Sequence, residues 1–217
     1  MLPSHGGGVF RNLRPGGSFG RAARRARQDC GDPAHGGAGA LAVCEGERQY
    51  ENRVIDAPLD RYRDVVRPEW IDNNRHMNVG YYLVVFDFAT DEFFRWVGLD
   101  EAHRRERQVT TFCLEAHVTY HREVRVGDPL RFTTLLLAHD VKRLHYVHQM
   151  YHAEDGYLAA TNELMSLHVS ESTRRSAPMA SEILERLVRI QAAHDALPRP
   201  PQVGRTIGLA QPARQGG

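Results

Sequence analysis

Val66-Arg67-Pro68-Glu69-Trp70-Ile71-Asp72-Asn73-Asn74-Arg75-His76-Met77-Asn78-Val79-Gly80 leads into a long apolar stretch that ends at Gly98, and these residues decide the fold. The first part reads as a short strand ending at Ile71, followed at once by Asp72 and a polar loop holding His76 and Asn78. From Val79 the pattern is helical. Tyr82, Val85, Phe86, Ala89, Phe93 and Trp96 recur at three- and four-residue steps, and Leu83, Phe88, Phe94 and Val97 fill much of the rest. A helix apolar around most of its circumference belongs inside a core. Asp87, Asp91, Glu92 and Arg95 argue against lipid as its surroundings.

Working outward, residues 1–50 hold 11 of the 19 glycines, seven arginines and few aliphatic clusters. Such a composition cannot bury enough apolar surface to offset chain entropy. We read residues 1–52 as a disordered extension, with a mis-assigned start and an organellar transit peptide as alternatives. Residues 53–178 are expected to form one folded domain, and residues 179–217 a C-terminal helix and tail. The final helix is expected over 180–197 with Ile183, Leu184, Leu187, Val188 and Ile190 inward, ahead of a surface strap. The charged segment 100–108 leads into four strand patterns.

In the first of these, Phe112, Leu114, Ala116, Val118 and Tyr120 alternate with polar neighbours and predict one apolar face. Val126-Gly127-Asp128-Pro129 turns the chain, and further strands are expected at 130–138, 143–152 and 157–169. Short turns between them imply an antiparallel meander. One sheet wrapped around one helix accommodates this order, an α+β fold. It leaves part of the helix and a sheet edge uncovered, which a homodimer or homotetramer would cover.

The chain of 217 residues carries a net charge of +1, so no overall field points to nucleic acid or an anionic membrane. Cys30 and Cys44 lie in the extension, leaving Cys113 without a structured partner. With no signal-peptide pattern, a reducing cytoplasm is expected. No metal site is expected. His117 and His121 share a strand face but stand roughly 13 Å apart, too far for one zinc at about 2 Å per ligand.

The loop resembles that of the hotdog-fold acyl-CoA thioesterases of the 4-hydroxybenzoyl-CoA thioesterase type. Their pattern reads Asp-x-x-Gly/Gln-His-Val-Asn-Asn-x-x-Tyr, and Asp72, His76, Asn78 and a tyrosine match it. Arg75 stands for the Gly or Gln, and Val79 for the second Asn. Glu-Ala-His-Val-Thr-Tyr (115–120), Lys-Arg-Leu-His (142–145) and Ala-Thr-Asn-Glu-Leu-Met (160–165) are similar to thioesterases of carnitine breakdown. The resemblance covers about residues 58–178. It implies a hotdog fold hydrolysing a small acyl-CoA, with betainyl-CoA as the substrate and no cofactor. A hotdog dehydratase or hydratase, and a non-catalytic acyl-thioester-binding protein, are the alternatives.

Thioester hydrolysis needs an activated water or a carboxylate nucleophile, and a sink for oxyanion charge. Asp72 can supply the first, and backbone N–H groups at Val79 and Gly80 the second, aided by the helix dipole. His76 and Asn78 can orient the loop or the carbonyl. Residue type alone favours ordinary turn and cap roles for Asp72 and Asn78; the resemblance reverses that in favour of chemistry. Asp87 and Asp91 are rival carboxylates, with an Asp91–Arg95 helix pair as their ordinary role. Trp70, Tyr81, Tyr82, Phe112 and Tyr120 suit a core at most positions; two or three of them are candidates to cage a quaternary ammonium instead, with Glu115 adding charge. Trp70, two residues before Asp72 on a strand, would project to the same side. Lys142 and Arg143 are candidates for the coenzyme A phosphates, or else lie on a solvated turn.

Overall fold

A computed structural model describes residues 55–209, so the 1–52 extension lies outside the described residues except as sequence. The first strand, β1, is Leu59–Val65, and it stops six residues earlier than expected. Pro68 cannot donate to a ladder, and here it opens a 3₁₀ turn over Pro68–Trp70. Ile71 keeps only an isolated bridge to Met77. The long helix α1 spans Val79–Val97, capped by the Asn78 side chain at one end and by left-handed Gly98 (φ 93°) at the other. A short helix, α2, forms over Glu101–Arg107, where a charged connection was expected; the Asp100 side chain caps it by accepting from the His103 N–H.

Strands β2 (Val109–Tyr120), β3 (Pro129–His139), β4 (Arg143–His152) and β5 (Leu158–Ser170) follow, then helix α3 (Ser181–His194). The sheet is antiparallel in every pair, with order β1-β3-β4-β5-β2. Only β3, β4 and β5 form the expected meander. The 126–129 turn does not fold β3 back on β2. Instead Gly127 donates to the Val66 carbonyl and Val66 to the Asp128 carbonyl, which seats β3 against β1. Strand β2 consequently lies at the opposite edge beside β5.

Helix α1 packs its buried face, Tyr82, Val85, Phe86, Ala89, Phe93 and Val97, on the sheet. Near its start Tyr82 and Phe86 meet Leu130, Phe132 and Met150; near its end Phe93 and Val97 meet Leu136, Leu144 and Tyr146. It is not buried all round: Leu83, Val84 and Phe88 form an exposed apolar stripe. Helix α3 adds Ile183, Leu187 and Ile190 to the second cluster. Val188, expected inward, is 58% exposed, because the buried positions run along a different face.

Two devices finish the sheet. Beyond its pairing with β1, the free side of β3 is closed by α3: His194 Nδ1 accepts from the Leu136 N–H at 2.9 Å, and Gln191 donates to the Leu137 carbonyl at 3.3 Å. On the face away from α1, Leu197 and Val203 of the chain after α3 pack on Leu135, Leu137 and Val147. There Gly204 donates its N–H to Glu163 at 2.8 Å, a surface strap of the expected kind. No helix among the described residues is long and apolar enough to cross a membrane.

Candidate functional site

The loop before α1 is closed by its own backbone. Asp72 donates to the His76 carbonyl at 3.2 Å, and Arg75 to the Asp72 carbonyl at 3.0 Å. Arg75 adopts φ 67°, a left-handed conformation in which a side chain is disfavoured. That conformation fits the glycine which the thioesterase pattern allows there. Two further bonds anchor the loop: Met77 donates to the Val124 carbonyl and Asn78 to the Trp70 carbonyl, each at 2.9 Å.

Asp72 and Asn78 meet at the foot of the helix. Asp72 Oδ1 accepts from the Asn74 N–H at 2.8 Å, the turn role its residue type suits, while Oδ2 faces Asn78 Nδ2 at 3.5 Å. Asn78 Oδ1 accepts from the Gly80 N–H at 3.0 Å, so that donor is already engaged. The Val79 N–H, in contrast, has no hydrogen-bond partner among the described residues. A half-buried carboxylate and an open backbone donor therefore share the positive end of one helix. The arrangement can polarise a carbonyl and direct a nucleophile at it.

Alongside the helix runs a groove of about 370 Å³. Gly80, Leu83, Val84, Asp87 and Thr90 line it from α1, and Thr111, Cys113 and Ala116 from β2. Asn162, Leu164 and Ser166 form its floor on β5. Neither amide atom of Asn162 has a hydrogen-bond partner among the described residues, although the residue is fully buried. Desolvation raises the Asp87 pKa, and the Asp91 charge raises it further. Nearby, the Tyr146 hydroxyl pairs with Ser166 Oγ at 2.9 Å.

Several expected site residues lie elsewhere. Trp70 is 4% exposed; its ring stacks on Tyr81 at 6.0 Å and carries the Arg67 guanidinium at 4.7 Å. The 3₁₀ turn breaks the strand alternation that would have put Trp70 beside Asp72. Tyr82 is buried edge-on against Tyr120 at 5.1 Å, and burial lifts its hydroxyl pKa to about 12. Glu115 follows a bulge between Cys113 and Glu115, which puts it on the sheet face opposite Ala116 and the groove. His76 sits in the loop with Nδ1 3.4 Å from the Met77 carbonyl. Arg143 is paired with Asp140 at 2.6 Å, and Lys142 donates its backbone N–H to the same carboxylate. That turn closes the β3–β4 end remote from Pro129 and the Asp72 loop, so one chain does not bring them together. Arg95 pairs with Glu92 rather than Asp91.

Asn162, Thr90, Cys113 and Ser166 were not singled out from the sequence as site residues. The bulge hid Cys113, since it reverses which side of β2 faces the helix. For Asn162 a signal existed: it is an amide at an inward position, between Ala160 and Leu164 on the same face of its strand.

A strand–helix–strand-meander layout with this loop defines a class, and the comparisons agree. The chain belongs to the thioesterase-like superfamily, whose model matches residues 66–187. It is similar to the betainyl-CoA thioesterase of Pseudomonas aeruginosa, 43% identical over 151 residues, covering 70% of this chain and 95% of that protein. It is also 32% identical over 186 residues to the L-carnitine dehydrogenase/betainyl-CoA thioesterase of Rhizobium meliloti, covering 82% of this chain and 37% of that one. Among solved structures, a hypothetical protein of Staphylococcus aureus in complex with CoA matches with a TM-score of 0.67 at 29% identity. That match covers 73% of this chain and all of the other, 100%. The activity is hydrolysis of an acyl-CoA thioester.

Proposed function

We propose that hydrolysis takes place at the Asp72 loop and that the acyl group is betainyl. Asp72 acts as the base for water or as the nucleophile, the Val79 N–H receives the developing oxyanion, and Asn78 holds both in register. The pairing of a carboxylate with an open donor at one helix start carries this reading. The substrate assignment rests on the similarity to the Pseudomonas aeruginosa enzyme. Two copies pair along β2 and the exposed stripe of α1, covering Leu83, Val84 and Phe88. The free thiol of Cys113 suits a cytoplasmic site of action.

The test is release of free coenzyme A thiol from betainyl-CoA, an aromatic acyl-CoA and a long-chain fatty acyl-CoA. Betainyl-CoA should give the highest kcat/KM. Faster turnover of either other thioester would overturn the acyl assignment. Release from none of them would favour a hydratase or a binding protein.

A further inference from the structure

We propose that Asp87, supported by the Asn162 amide, recognises the cationic end of the acyl group within the groove between α1 and β5. The inference rests on the betainyl reading and names the residues that select that substrate.

Position is the first argument. Gly80 and Asp87 lie seven residues apart on one helix, about 10.5 Å along its axis. Both line the same groove. Helical side chains lean toward the helix start, so the Asp87 carboxylate leans back toward the end that carries the open Val79 N–H. In a betainyl thioester the quaternary nitrogen is two bonds, about 2.5 Å, beyond the carbonyl carbon. A carbonyl held at the helix start with its acyl group pointing along the groove therefore directs the quaternary nitrogen, with its three methyl groups, toward Asp87.

Charge is the second. No basic side chain pairs with Asp87 among the described residues, and the charge that acts on it is the like charge of Asp91. A crowded carboxylate with a like-charged neighbour lacks a cation, and a quaternary ammonium supplies one. That ligand donates no hydrogen bond, so it suits a site offering negative charge without needing a matching donor. Asn162 adds an amide oxygen that no group among the described residues has claimed. Phe94 and Tyr146 add aromatic rings to the lining.

Trp70 and Glu115 lack these properties. The Trp70 ring already carries Arg67, and Glu115 is on the other sheet face.

The experiment compares betainyl-CoA with 3,3-dimethylbutanoyl-CoA, which replaces the quaternary nitrogen by carbon at almost the same shape. The readout is the ratio of their kcat/KM values in the unmodified protein, Asp87→Asn and Asp87→Glu. Asp87→Asn should lower the ratio on the order of thirtyfold, the size of a partly screened charge pair in a groove. Asp87→Glu, which keeps the charge, should retain much of the preference. Tetramethylammonium should inhibit hydrolysis of the uncharged thioester by the unmodified protein, and inhibit Asp87→Asn far less. A ratio unchanged in Asp87→Asn, whether both rates hold or both fall together, overturns the assignment; a joint fall would make Asp87 part of the hydrolytic step. A ratio near one in the unmodified protein overturns the betainyl reading itself, and this inference with it.

Discussion

The Thr90 hydroxyl meets His148 Nε2 at 2.9 Å, tying the middle of α1 to the centre of the sheet. Thr90 gives its own proton to the Phe86 carbonyl at 3.0 Å, so Nε2 must be the donor in this pair. His148 Nδ1 then accepts from the Thr134 hydroxyl at 2.8 Å. The ring is held as one neutral tautomer.

A pH dependence follows. Burial pulls the His148 pKa from 6.5 down to about 3. The unfolded chain therefore takes up this proton at a higher pH than the folded one. The stabilisation is complete above the ordinary value and is lost as pH falls toward the folded one. His194, also lowered chiefly by burial, acts in the same direction, while the raised Asp87 favours the folded state on the acid side. Melting followed from about pH 7.5 to 4.5 should show a loss of up to about 2.5 kcal/mol from His148. His148→Asn should flatten that slope; an unchanged slope would assign it to other groups.

Asp72→Asn should leave the loop intact, because an amide oxygen can still accept from the Asn74 N–H. Turnover should fall by at least about a hundredfold, as for loss of a general base. Thermal melting separates the two effects: a normal melting temperature with near-normal kcat would remove Asp72 from the chemistry.

Gly80→Ala separates stability from activity. A Cβ there would meet only Asn78 Oδ1, at 3.4 Å. Replacing a helical glycine should raise stability by about 0.5–1 kcal/mol. The new methyl group also enters the groove beside the helix start, so kcat/KM for the acyl-CoA should drop. Unaltered kinetics would mean that the acyl group takes another route.

Leu114, 56% exposed at the bulge of β2, tests the assembly. Leu114→Arg should shift sedimentation toward a single chain while leaving the far-ultraviolet circular dichroism unchanged. An unaltered assembly would place the contact elsewhere.

Helix α1 was legible almost to the residue, because its apolar period, Asn78 and Gly98 all mark the same boundaries. The Asp72–Asn78 loop was legible through its residue types and their spacing. Strand placement was not. Nothing local in residues 121–128 says that β2 will cross to β5, since sheet order is set by which apolar faces meet after the chain collapses. The β2 bulge adds one residue without altering the polar–apolar alternation, so it assigned Leu114 rather than Cys113 to the helix side. Trp70 was misplaced because a proline-led 3₁₀ turn carries the same apolar residues as a strand end.

The His194 and Gln191 contacts that seal β3 bear on how large an assembly can become. On the same side of the sheet, β1 is short and bristles with Asp60, Arg61, Arg63 and Asp64, which discourage a neighbouring strand. Strand β2, twelve residues with Glu115 as its lone carboxylate, is left as the open edge among the described strands. A unit with one adhesive side has a valence of one. Joining through it consumes the side on both copies at once, and no edge remains for a third. The pairing through β2 proposed above would therefore stop after a single step and would not propagate into a fibre.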